Sequence, residues 1–426
     1  MPYLLRGRGR VAVLATSSAL LAFAVVLFAM GSSASARRAH PHKRHHRSGG
    51  LTISARSWGS VEGRNVDLYT LSNGRMTVKI TNYGGVVQSI SVPDRHGHVA
   101  DVALGFPNLA GYVTDFTNPP SGGSGDTYFG AIIGRYANRI ANHSFTLNGT
   151  TYDLPGNNGS NNINTLHGGP NAWNTKVWTA TPEHGADFVA LKLTYTDPDG
   201  YNGFPGAVQA TVTYTLTRKD ELKIQYGATT TKPTVINLTN HTYFNLAGEG
   251  SGDVYAQRLQ INADRFTPVN DALIPTGQFA PVAGTPFDFR HMKPIGRDIH
   301  RADMPEGQQL VIAHGFDHNW ILNGSGMRLA AVAEDPGSGR VLKTYTTEPG
   351  VQFYSGNFLV GDLIGPSGRS YRQSDGFTLE TQHYPDAPHH IGQAGWPSVV
   401  LNPGQQFSST TIYAFSTTSS GGHGHH

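Results

Sequence analysis

The chain has 426 residues, with 52 glycines, 25 prolines and no cysteine, which excludes a disulfide framework, a thiolate metal site and a cysteine nucleophile. Its formal charge of +3 misleads: the first fifty residues carry eight positive charges and no negative one, leaving the remainder at −5. A basic nucleic-acid face is therefore not expected, and beyond residue 50 the composition is that of strands and turns.

Arg6, Arg8 and Arg10 precede an apolar run from Val11 to Met30 and the small-residue stretch Gly31 to Ala36, the pattern of an export signal cleaved after Ala36. The run is long enough to cross a bilayer, so an uncleaved N-terminal anchor is the alternative, and membrane contact is expected only in that case. Residues 1–36 are read as the signal and 37–50, with Arg37, Arg38, Lys43, Arg44, Arg47 and four histidines, as a basic linker. The chain is expected to be secreted. One domain is expected over 51–416, followed by a Ser/Gly/His tail at 417–426.

From Leu51 onward apolar and polar residues alternate. Met76–Ile80, Phe188–Tyr195 and Val208–Leu216 each read as a strand with one wet face. Ser144 to Leu147, Asn148-Gly149 and Thr150 to Leu154 predict a hairpin, because Asn-Gly accepts the positive φ of a type I′ turn. Arg218-Lys219-Asp220 separates two further strands. No helices are expected between strands, so the fold class is all-β, a large antiparallel β-sandwich. The Gly/Ser-rich stretch from Thr117 to Asp126 is a candidate lid.

Five places hold polar groups that a sandwich does not need. Asn138 and Arg139 end an apolar stretch. His167 precedes Gly168 and Gly169, which let a backbone approach a ligand closely. In residues 236–246 a continuous alternation puts His241 and Tyr243 on a polar and aromatic face. Asp317, His318, Asn319 and Trp320 are consecutive, and adjacency alone makes no Asp-His dyad. Glu380 projects from the run Phe377 to Gln382, sharing one face with Thr378 and Gln382 while Phe377, Leu379 and Thr381 share the other. A solvated strand face is the default reading of such a glutamate, and a sugar cleft is the functional one.

The twenty histidines include no helical His-x-x-x-His motif, so no catalytic metal is expected. No Gly-x-Ser-x-Gly elbow, phosphate loop or dinucleotide fingerprint is present, and no cofactor is expected.

Seven stretches in order resemble the aldose 1-epimerases, also called galactose mutarotases. They are Ile80 to Gly85, Gly134 to Ile140, Leu166 to Gly169, Asn240 to Leu246, Gly315 to Asn319, Gln352 to Phe358 and Leu379 to Gln382. The resemblance implies a galactose mutarotase-like sandwich with an open sugar cleft and a small aldose as substrate. It implies Glu380 as the base that takes the C1 hydroxyl proton and His241 as the acid that protonates the ring oxygen, with Asn138, Arg139, His167, Asp317 and Gln352 holding the sugar. Such a pair requires an ionised base and a protonated acid. Trp173, Tyr243 and Phe353 are candidate stacking platforms. The departures are the long 117–126 loop, the His- and Gly-rich stretch from Pro388 to Trp396, and Gln405 in place of the family's usual acid. Two other readings are a glycoside hydrolase using Asp317 and Glu380 and a carbohydrate-binding module without catalysis.

Overall fold

The structure, a computed structural model, describes residues 50–119 and 122–418. The signal 1–36, the linker as far as residue 49 and the tail from 419 onward lie outside the described residues.

The alternation that predicts strands also builds the core. In Val208–Thr217, Val208, Ala210, Val212, Tyr214 and Leu216 are fully buried, whereas Gln209, Thr211 and Thr213 between them are not. This strand turns through Asp220, at φ 57°, into Glu221–Thr230. Nine strands pair antiparallel in the order Thr179–His184, Phe188–Asp197, Val208–Thr217, Glu221–Thr230, Phe407–Thr417, Arg340–Thr346, Arg328–Glu334, Arg258–Ile261 and Lys293–Pro294. The predicted hairpin is present, with Ser144–Leu147 paired to Thr150–Asp153 and Asn148 and Gly149 at φ 52° and 79°.

A six-stranded antiparallel sheet runs Tyr243–Phe244, Phe377–Gln382, Gly350–Tyr354, Asp317–Leu322, Ala263–Thr267, Ala280–Pro281. Its Phe377, Leu379, Phe353 and Trp320 share one core with Leu222, Ile224, Tyr413 and Phe415 of the larger sheet. The Tyr413 hydroxyl donates to the Leu379 carbonyl at 3.1 Å. Each large apolar side chain buried here contributes about 1.5–3 kcal/mol. Period two then sends the alternate residues to the opposite face. Cross-strand partners stand there in two rows, Asp317, Tyr354 and Thr378 in one, Asn319, Gln352 and Glu380 in the other.

Two expectations change. The chain is not free of helices: Leu109–Thr117 is α-helical, and the Asn108 side chain caps it by accepting the Gly111 amide at 3.0 Å. Leu109, Tyr112 and Phe116 recur at helical spacing and are buried, but two turns of pattern are short among so many strands. Residues 236–246 are also not one strand. Thr239–Asn240 pairs with Ile132–Ile133, and Tyr243–Phe244 pairs with Phe377 and Thr378. Between them the Asn240 side chain accepts the Thr242 amide at 3.1 Å, an Asx turn that hands the chain from one partner to the other. His241 sits at this switch.

Arg135 anchors the segment that leads to Asn138 and Arg139. It is 1% exposed, and its Nε donates to Asp197 Oδ2 at 2.8 Å while Nη1 donates to the carbonyls of Pro205 and Gly206 at 2.8 and 2.9 Å. A buried guanidinium left without its carboxylate costs about 3–5 kcal/mol. Asp197→Ala is expected to lower the unfolding free energy in urea by about that amount. Asp187→Ala, which removes the exposed partner of Arg218, is expected to leave it unchanged.

Candidate active site

Glu380 leaves its strand on the face turned away from the core and is 2% exposed, so the solvated-face reading fails. Its Oε1 accepts a hydrogen bond from Thr378 Oγ1 at 2.7 Å and lies 3.4 Å from His241 Nε2. Glu380 Oε2 and His241 Nδ1 are buried without partners, which leaves hydrogen-bonding capacity unused on both members of the pair. The His241 ring is boxed by Tyr128, His167 and Tyr243, with centroids 5.7, 5.1 and 5.3 Å away.

Around this pair lies a cleft of about 790 Å³, lined also by Asn138, Arg139, His167, Tyr243, Asp317 and Tyr354. Gln352 is one layer back. Its Nε2 donates to Asp317 Oδ1 at 2.7 Å, so it orients the carboxylate that faces the cleft. Arg139 Nη2 is 3.6 Å from Asp317 Oδ2, and Arg139 Nε donates to Asn158 Oδ1 at 2.9 Å. Asn138 and His167 both adopt left-handed backbone, at φ 65° and 53°. The His167 amide donates to the Asn138 carbonyl, and the Asn138 amide donates to His167 Nδ1, each at 3.1 Å. The second bond fixes the neutral tautomer with its proton on Nε2. Gly168 serves this turn rather than a ligand, because a Cβ there would lie 2.4 Å from the Gly134 carbonyl oxygen.

His167, His241 and Glu380 offer three ligand atoms within 4.8 Å of one another. A cation would need the lone pair of His167 Nε2, where the proton sits, so the trio suits donation to an oxygen better than metal ligation. Tyr243 lines the cleft, but Trp173 and Phe353 are 1% and 0% exposed and stack on nothing there. Trp173 packs edge-on against Trp178, and Phe353, alternating with Gln352 and Tyr354, turns into a cluster of Phe289, Phe316 and Trp320. His318 is fully buried and accepts the Asp317 amide at Nδ1, a structural role.

Several supports escape the sequence reading. Thr378 shares the face of Glu380, but nothing in a period-two pattern says that the two bond. Asn237, fully buried, donates to the carbonyls of Ala137 and His383 at 3.2 Å each and accepts the His383 amide at 2.9 Å. One carboxamide thus ties together the segments that carry Asn138, His241 and Glu380.

Residues 67–414 match the sequence model of the family described as aldose 1-epimerase. The chain belongs to the aldose 1-epimerase family. A galactose mutarotase of Bos taurus is 42% identical over 353 residues, covering 82% of this chain and 94% of the bovine one. An aldose 1-epimerase of Escherichia coli strain K12 is 37% identical over 83% of this chain and 96% of its own. The crystal structure of galactose 1-epimerase from Lactobacillus acidophilus NCFM matches with a TM-score of 0.73 at 29% identity, covering 86% of this chain and 99% of that one.

Burial dominates the electrostatics of this epimerase cleft. It pushes Glu380 up to about 8, a rise that Thr378 and Arg139 oppose and Asp317 reinforces. It pushes His241 down to about 3 and His167 well below the ordinary imidazole value. Both shifts push the resting pair towards a protonated Glu380 and a neutral His241, away from the ionised base and protonated acid that the reaction itself requires.

This arrangement costs stability at neutral pH. The folded state raises the Glu380 pKa from 4.5, so the folded chain keeps a proton that the unfolded chain releases. The cost is absent below about 4.5 and grows as pH rises towards 8. Glu380→Gln is expected to be more stable than wild type at pH 7 by about 3 kcal/mol. Thermal melts at pH 7 and pH 4 should show the gain at the first and little at the second.

Proposed function

We propose that the cleft interconverts the α and β anomers of free hexoses by opening and reclosing the pyranose ring, with Glu380 and His241 exchanging protons with the sugar. The observation that carries this reading is the buried contact of Glu380 Oε1 with His241 Nε2 at 3.4 Å, a pair sharing one proton at the floor of the cleft. In ring opening the Glu380 carboxylate takes the C1 hydroxyl proton and the His241 imidazolium gives its proton to the ring oxygen as the C1–O5 bond breaks. The aldehyde then faces a neutral glutamic acid and a neutral imidazole. After rotation about C1–C2 the two residues reverse their roles: His241 takes the C5 hydroxyl proton, the oxygen attacks the other face of C1, and Glu380 protonates the new C1 oxygen.

The resting protonation equals that of the ring-opened state. Burial disfavours the charged pair that attacks the cyclic sugar, so reaching that pair is part of the barrier, and groups that stabilise the carboxylate lower it. His167 Nε2–H and Arg139 supply donors to the oxygens that gain charge. Asp317, already bonded by Gln352 and close to Arg139, supplies acceptors for sugar hydroxyls. The same engagement argues against Asp317 as the proton-donating acid of a glycosidase. A binding module would have no use for the matched pair, and two of its three proposed stacking platforms lie in the core.

Polarimetry on freshly dissolved α-glucose or α-galactose tests the assignment. Wild type is expected to hasten equilibration, and Glu380→Gln and His241→Ala to lose about 10²–10⁴-fold in kcat. Unaltered rates in both variants would remove the pair from the mechanism. The pair keeps one proton only between the two pKa values, so kcat/KM is expected to hold a plateau below pH 8. Above about 8, Glu380 ionises while His241 stays neutral, no acid remains for the ring oxygen, and the rate falls. Export follows from the arginine-led apolar leader alone; sequencing the N-terminus of protein recovered from the medium would read cleavage after Ala36 directly.

A further inference from the structure

We propose that Thr378 is the positioning residue that makes the buried Glu380 usable as a base, by donating its hydroxyl to Glu380 Oε1. The inference rests on the acid-base reading of Glu380 above. Thr378 and Glu380 stand two residues apart on one face of the strand Phe377–Gln382, and the Oγ1–Oε1 distance is 2.7 Å. Thr378 is fully buried and is not among the residues lining the cleft, so a direct hold on the sugar is not available to it. Its cross-strand neighbours are Tyr243 and Tyr354.

The bond does two things. It fixes Oε1, the oxygen 3.4 Å from His241 Nε2, and so sets the direction along which the pair exchanges its proton. It also stabilises the carboxylate against the acid, because a hydroxyl donating to a charged oxygen makes a stronger bond than one donating to a neutral one. Of the ionisable groups around Glu380, Arg139 also favours the carboxylate, but it is divided among other partners, Asp317 and Asn158. His241 and His167 are driven neutral by burial, Asp317 opposes a second negative charge, and Tyr243 and Tyr413 are held protonated. Without the hydroxyl, the charged form that attacks the cyclic sugar would be reached less often.

Thr378→Val keeps the shape and removes the donor; Thr378→Ser keeps the donor and removes a methyl. In polarimetric assays from pH 5 to 10, Thr378→Val is expected to lose about tenfold or more in kcat at pH 7 with KM within about twofold of wild type. Its alkaline limb should move up by about one to two pH units, because the lost bond stabilised the ionised form. Thr378→Ser is expected to restore both kcat and the limb. The inference is overturned if Thr378→Val retains the wild-type kcat and limb, or if Thr378→Ser is as impaired as Thr378→Val, which would make the methyl packing decisive. Should Thr378→Val not fold by circular dichroism, Thr378→Ala against Thr378→Ser decides by the same two readouts. A wild-type protein that leaves equilibration unchanged would instead overturn the epimerase reading, and the role of Thr378 with it.

Discussion

The contact between Glu380 and His241 sets the terms for the rest of the site. Two ionisable groups are placed almost out of reach of water, where separate charges are expensive and a single shared proton is not. Nothing local compensates fully, since Oε2 of the glutamate and Nδ1 of the histidine have no partner. The fold must therefore hold both side chains against their preference for solvent. It does so with a sheet face packed on a large core from behind and with a turn clamped to its neighbours.

These two kinds of support differ. Glu380, Asp317 and Gln352 stand on adjacent strands whose opposite face carries Leu379, Phe353 and Trp320, so their positions are fixed by core packing. His241, Asn138 and His167 stand on irregular backbone, where packing alone is a weaker guide. Side-chain and backbone hydrogen bonds do the fixing there. The Asn240 side chain shapes the turn at His241, Asn138 and His167 clasp each other, and Asn237 bridges Ala137 and His383. A buried amide satisfied at three points specifies one geometry, because every alternative leaves a polar group unpaired.

This division explains what could be read from the sequence. Period-two alternation located the strands, the split of Phe377 to Gln382 into two faces, and the Asn148-Gly149 hairpin, because each is a local rule obeyed by local residues. It failed at residues 236–246, where the chain changes partners midway and alternation no longer tells which side a residue faces. It also missed the Leu109–Thr117 helix, whose apolar spacing extends over only nine residues. At the site, the residue types and their family order pointed to the cleft, but Gln352 proved to lie behind Asp317 and Phe353 in the core. Thr378 and Asn237 were not legible, since a buried threonine or asparagine in a strand-rich chain shows its partner only in three dimensions.

The protonation of the pair was the least legible property of all. A glutamate and a histidine in sequence carry their ordinary pKa values, which place charge on the glutamate and little on the histidine at neutral pH. Burial drives the glutamate towards its protonated form and keeps the histidine neutral, so the pair holds a proton that the exposed groups would largely release. One proton held by the pair suits a reaction whose forward and reverse halves use the same two groups in exchanged roles. A pair strongly committed to its charged form would open the ring and then resist the reverse exchange, whereas a pair strongly committed to its neutral form would never begin. The reaction therefore needs groups that bring the charged form within reach. Desolvation pulls one way, and the Thr378 hydroxyl and the Arg139 guanidinium pull the other. The catalytic capacity of the cleft thus depends on an opposition of forces around one carboxylate, and residues that never touch the sugar are part of that balance.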